Sequence, residues 1–176
     1  AGIAARHLNL TAPVCPSAFL NNIHDMISVD ELNPLRLAVI KGLRAEPWFR
    51  ATYFSIAREI LQTIVGNELA MQRGFRLSVQ VPDDESSLLP LHADVWDGNS
   101  AFEVVLWLPL VDCLRTKSMY IFRPEKDRLI QEKLFESEHL GPEQIFKNIE
   151  KDAEFLKIDY GQALVFSQTL MHGNRI

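Results

Sequence analysis

The sequence is poor in cysteine. Its two, Cys15 and Cys113, stand 98 positions apart, so there is no Cys-x-x-Cys ligand pair and no disulfide framework. Two reduced thiols in a cytoplasmic protein are the expectation. Long apolar runs are also missing: none approaches the roughly 20 residues that span a bilayer. Basic residues are outnumbered, 18 Lys and Arg against 23 Asp and Glu for a net charge of -5. They form no stripe that would grip a phosphate backbone, so neither a nucleic acid nor a membrane is expected as a partner. The opening "AGIAARHLNL" lacks a charged segment followed by an apolar core and is not a signal peptide. There is no internal repeat and no low-complexity segment. What remains is the composition of an ordinary globular protein, and 176 residues suffice for one domain, 1–176, with a substantial core. The chain starts with Ala and stops at "MHGNRI" just behind an apolar stretch, so it is expected to be a portion of a longer one that lacks a C-terminal piece.

The first third reads as a helical flank, 1–67. Ser17 is placed to cap a short helix carrying Leu20, Ile23 and Ile27. Ser28 and Glu31 have the spacing of a capping box, with a helix behind them that extends past Pro34. Pro47 suits the first turn of a further helix and Gly66 the residue beyond its end. Between them Trp48, Thr52, Tyr53, Ile56, Ile60 and Ile64 recur at helical spacing, as for a face packed on something large. From Arg76 the period becomes two. "RLSVQV" alternates, "FEVVLWLPLV" (102–111) is a nearly continuous apolar run with Pro109 near an edge, and "SMYIF" and "QALVFS" are two short strands. Helices first and strands after predict an α+β layout or a helix-flanked sandwich. The charged stretch at about 123–156, broken at Gly141-Pro142, is a helix-forming insertion: a lid or partner surface, or a solvated excursion.

The chemistry concentrates in "LLPLHADVWDG". His92 and Asp94 alone are also what a turn-flanking pair would look like. A second histidine, His172, lies at the end of the apolar "GQALVFSQTLMHGN". Two histidines and one carboxylate make a facial triad, which leaves three octahedral positions free for a bidentate organic acid and dioxygen. The separation of 92 from 172 needs a fold that returns distant strands to one place, as a cupin-type jelly roll does. "PDDESS" (82–87) reads as a hydrophilic turn or an acidic pocket mouth, and Asp97, Gly98 and Asn99 supply turn chemistry next to the ligands. His7, His24 and His139 have no partner pattern.

The ordered set "RLSVQVPDDESSLLPLHADVWDG", "FEVVLWLPLVDC", "KSMYIF" and "IDYGQALVFSQTLMHGN" resembles the Fe(II)- and 2-oxoglutarate-dependent oxygenases over about residues 67 to 174. Within them it is similar to the phytanoyl-CoA hydroxylase-like group, and to oxygenases of carbohydrate and aminoglycoside biosynthetic clusters. The resemblance implies a double-stranded β-helix over 76–174 with the N-terminal helices packed outside. It implies His92, Asp94 and His172 as the Fe(II) ligands, and 2-oxoglutarate as a co-substrate that is decarboxylated to succinate while dioxygen oxidises a small polar, sugar-derived metabolite. Gln80, Trp107 and Asn174 match positions near the co-substrate; Gln80 equally suits a solvent-facing strand residue and Trp107 plain core.

The sequence departs from the group in one respect. An Arg about ten residues past the second histidine normally pairs with the far carboxylate of 2-oxoglutarate, and here Arg175 comes too early. The anchor is expected in a missing C-terminal piece; a substitute such as Lys117, or a different binding mode, would also fit. Two other classes suit the same residues: a cupin-type metal-dependent isomerase or hydrolase without 2-oxoglutarate, and a non-catalytic jelly-roll binding module.

Overall fold

The computed structural model describes residues 1–134 and 140–175. His139 and the middle of the 123–156 insertion lie outside the described residues. The chain divides into two compact units, Ala1–Val79 and Gln80–Ile176.

The first unit is helical. It contains α1 (Gly2–His7), α2 (Pro16–Asn21), α3 (Val29–Ala45), α4 (Phe49–Ser55) and α5 (Arg58–Val65). The capping box forms as its spacing predicts: the Ser28 N–H and hydroxyl both donate to one Glu31 carboxylate oxygen, each at 2.9 Å. The helix behind it runs through Pro34, with Leu32 and Leu35 buried. Two expectations fail here. Ser17 does not cap α2, which opens on Pro16 with Cys15 at the cap position, because a proline has no N–H to satisfy at a first turn. The 47–66 segment is not one helix. Ala57 takes a left-handed φ of 54° and splits α4 from α5. The break ruins the expected continuous face: Trp48, Ile60 and Ile64 are exposed, and the packing is instead Phe49 stacked on Tyr53, with Phe75 against both. Gly66, at φ 96°, ends α5 in a conformation that L side chains avoid.

The second unit is mixed, so the chain is α+β. Its strands are β1 (Val104–Trp107), β2 (Met119–Phe122), β3 (Ala153–Phe155), β4 (Leu164–Ser167) and β5 (His172–Asn174), with helices α6 (Pro124–Glu132) and α7 (Pro142–Ile149). They form two small antiparallel sheets, β1-β4 and β3-β2-β5, that do not close into a barrel. A single bridge, His92 to His172, adds the extended 91–93 segment beside β5.

The expected strand at 76–81 does not form: no ladder partner exists for it among the described residues, and alternation cannot satisfy a strand's backbone by itself. The 102–111 run shortens to four half-buried residues because β1 is paired on one side only, by β4, and Pro109 lies beyond its end. Both cysteines are free thiols, with Cys113 buried. No helix among the described residues is long and apolar enough to cross a membrane.

The described part of the insertion is not a solvated excursion. Phe146 of α7 is buried in one cluster with Leu91, Ala93, Tyr120, Phe122 and Met171, and Ile130, Leu134, Ile145 and Ile149 pack against that cluster. The two helices therefore cover one face of the β3-β2-β5 sheet, which gives their apolar residues the layer that an amphipathic helix requires.

Candidate metal centre

The alternation of an extended backbone explains the H-x-D spacing. Leu91 and Ala93 point into the cluster beneath α7, so His92 and Asp94 stand on the opposite face. The same holds across the bridge: Met171 is in the cluster and His172 is not. His92 and His172 exchange both backbone hydrogen bonds, at 3.0 and 2.8 Å, which sets their rings side by side with centroids 4.3 Å apart. Asp94 opens a 3-10 turn, Asp94–Asp97. The Asn99 side chain donates to the Asp94 carbonyl at 3.0 Å, and Gly98 takes the left-handed φ of 88° that lets the chain turn back. The turn chemistry at 97–99 thus fixes the backbone of the middle ligand.

His92 Nε2 lies 3.8 Å from Asp94 Oδ1, and His172 Nε2 lies 3.9 Å from Asp94 Oδ2. The three ligand atoms all fall within 4.8 Å of one another. With metal–nitrogen bonds of about 2.1 Å, neighbouring ligands on an octahedron stand about 3 Å apart, so a shift of under about 1 Å per side chain would close the site.

His92 Nδ1 lies 2.8 Å from the Pro90 carbonyl oxygen and His172 Nδ1 lies 2.9 Å from that of Leu170. A carbonyl only accepts, so each Nδ1 carries a proton, and a neutral ring then presents its lone pair at Nε2. Two lone pairs and a carboxylate then converge with no donor between them. A cation, an added proton or a donating water relieves that arrangement. Burial holds the His172 pKa below its usual value; the Leu170 carbonyl raises it, His92 lowers it further, and Asp94 and Asp127 raise it. A proton is therefore disfavoured there, and a metal ion fits. Among the described residues this is the one cluster of three such side chains.

The remaining sequence-predicted residues divide. Asn174 shares a sheet face with His172, two residues along β5. Trp107 shares a face of β1 with Val105, which is paired with Phe166, and the Phe166 ring meets the His172 ring edge-on at 5.0 Å. Trp107 is therefore on the side of the β1-β4 ladder that faces His172. Gln80 lies outside any strand, and its side-chain nitrogen is buried without a partner. Arg175 is on the wrong face: it follows Gly173 in parity, stacks at 3.8 Å over Phe146 and donates to Glu143 at 2.6 Å. The acidic 82–87 turn closes on itself, Asp84 accepting from the Ser86 N–H and hydroxyl. Sequence reading missed Phe166, which packs on a ligand, and Asp127, a buried carboxylate within the charged insertion. Nothing in "RPEKDRLIQEK" distinguishes that aspartate from its solvated neighbours.

No family model matches the chain, and neither a curated protein nor a solved structure is significantly similar to it.

Proposed function

We propose that this protein is an Fe(II)- and 2-oxoglutarate-dependent oxygenase whose two antiparallel sheets belong to a double-stranded β-helix, acting on a small polar metabolite. The observation that carries the metal is the convergence of two Nδ1-protonated imidazoles and one carboxylate with no donor between them. Iron with 2-oxoglutarate would supply the oxidising power for C–H hydroxylation from dioxygen. The chain's own part is to hold three ligands on one side of the ion, to orient both rings through the Pro90 and Leu170 carbonyls, and to shield one flank with Phe166. Trp107 and Asn174 would border the co-substrate.

A second reading, a cupin-type metalloenzyme that does not use 2-oxoglutarate, is favoured by the position of Arg175, which faces away from the ligands and cannot anchor a distal carboxylate. One experiment separates the two. Anaerobic protein is given Fe(II) and then 2-oxoglutarate, and the visible charge-transfer band of the chelate is followed in wild type and His172→Ala. A saturable band lost in the variant supports the oxygenase. Tight metal binding without a band would discard 2-oxoglutarate and leave the second reading.

A further inference from the structure

Asp127, on α6, is 4% exposed. A carboxylate so buried needs a reason, since desolvation works against its charge. Its partners are neutral donors: the Met171 N–H gives to Oδ1 at 2.8 Å, and Gln131 Nε2 gives to Oδ2 at 2.6 Å. Gln131 also donates to the Thr169 carbonyl at 2.8 Å. Both α6 side chains thus grip the turn that leads into His172.

The Met171 N–H and the Leu170 C=O belong to one peptide group. Asp127 accepts from its nitrogen side, and its oxygen accepts the Nδ1 proton of His172. The groups form one line: carboxylate, peptide, imidazole, and then the free Nε2. We propose that Asp127 is the positioning residue of the metal centre, acting on His172 through the Leu170–Met171 peptide. This rests on the metal reading above. An anion at the amide end polarises the peptide and makes its carbonyl a stronger acceptor. That fixes the ring and raises the basicity of Nε2, as a carboxylate bonded directly to a metal-bound histidine does. His92 has the Pro90 carbonyl but no carboxylate behind it among the described residues. The helical insertion therefore supplies an outer charge to one ligand and not to the other.

The test uses Co(II) as probe, with affinity and visible ligand-field bands measured on wild type, Asp127→Asn, Asp127→Ala, Gln131→Ala and His172→Ala, and with melting of each metal-free protein. Asparagine keeps an acceptor for the Met171 N–H and removes the charge, but turns its NH2 towards Gln131 Nε2, which must then flip or give up that bond. Asp127→Asn is expected to bind Co(II) several-fold more weakly with shifted bands, and Gln131→Ala, which loses the same bond and keeps the charge, to bind it as wild type does. Asp127→Ala, if it folds, is expected to lose 10- to 100-fold in affinity. A purely structural residue would leave the Co(II) affinity and bands of Asp127→Asn unchanged whatever its melting temperature, and that result overturns the proposal. If His172→Ala abolishes Co(II) binding while Asp127→Asn matches wild type, only the role of Asp127 is lost. If wild type itself takes up no stoichiometric Co(II), the metal reading falls and this inference with it.

Discussion

Gly173 follows His172, and the structure gives a reason why nothing larger stands there. A Cβ at this position would lie 2.8 Å from Tyr120 Cζ, closer still to Tyr120 Oη, and 2.9 Å from the Leu89 carbonyl oxygen. Carbon atoms rest at about 3.5–4.0 Å, so the ring contact alone is short by about 0.7 Å. Neither neighbour can yield cheaply. Tyr120 is fully buried with its ring against Phe122, Phe146 and Phe155, and the Leu89 carbonyl is held by the Asn174 N–H at 2.9 Å. Overpacking of this kind costs about 1–3 kcal/mol, from which replacing a strand glycine returns about 0.5–1. For a net loss of about 1 kcal/mol, Gly173→Ala should melt about 2–4 °C below wild type. The displaced strand carries His172, so the metal-induced rise in melting temperature should shrink as well. A double-mutant cycle isolates the contact. The Tyr120 hydroxyl is buried without a partner, and burial pushes its pKa up to about 12, so Tyr120→Phe alone is expected to be neutral or stabilising. In combination it removes the closest atom and should recover about 1 kcal/mol. A Gly173→Ala protein that melts within a degree of wild type, or effects that simply add, would refute the packing argument.

Excess Zn(II) or Co(II) at about 100 times its dissociation constant should stabilise the wild type by about 2.7 kcal/mol; scanning calorimetry should show this shift vanish in His92→Ala, Asp94→Asn and His172→Ala, and a shift retained in all three would place the ion elsewhere. The native pKa of His172 is lowered by burial, so the unfolded state takes up its proton first as pH falls through about 6.5. Metal-free protein should therefore lose stability from pH 7.5 towards pH 5, and His172→Gln should flatten that slope; parallel curves would contradict the assignment. Phe146→Ala removes the ring on which Tyr120 and Arg175 pack, and denaturant titration should show a loss of about 3–5 kcal/mol. A loss under about 1 kcal/mol would mean that α7 does not form the second layer.

The two-His, one-Asp set is legible because its members carry their own periodicity. "LHAD" alternates apolar and polar, and "MHGN" repeats the pattern, so a reader of the sequence can put His92 with Asp94, and His172 with Asn174, on one side of an extended chain. The elements lost were those whose fate depended on partners. "RLSVQV" alternates as regularly as any strand here but finds no ladder. Ile60 and Ile64 continue the helical stripe of Trp48 and Tyr53 only until a left-handed Ala57 breaks the register. The insertion reads as solvated because its charges outnumber its apolar residues, yet Phe146, Ile145 and Ile149 suffice to seat α7 on the sheet. Asp127 was invisible for a related reason: one carboxylate among many declares itself only when a backbone amide from 44 residues away arrives at it.

The placement of ligands and core on alternate residues has a consequence for how the site is held. Leu91, Ala93 and Met171 face the core, while His92, Asp94 and His172 face the centre, along the same few residues of backbone. A one-residue slip of either segment would bury the ligands and expose the core, so the core fixes the ligand register at no cost beyond its own packing. The reverse also holds. The His92–His172 bridge that joins 91–93 to β5 also sets three acceptors close together with no protein donor between them. The proposed cation would draw those acceptors together across the same bridge, so metal affinity and the holding of this sheet edge would be one free energy read in two ways.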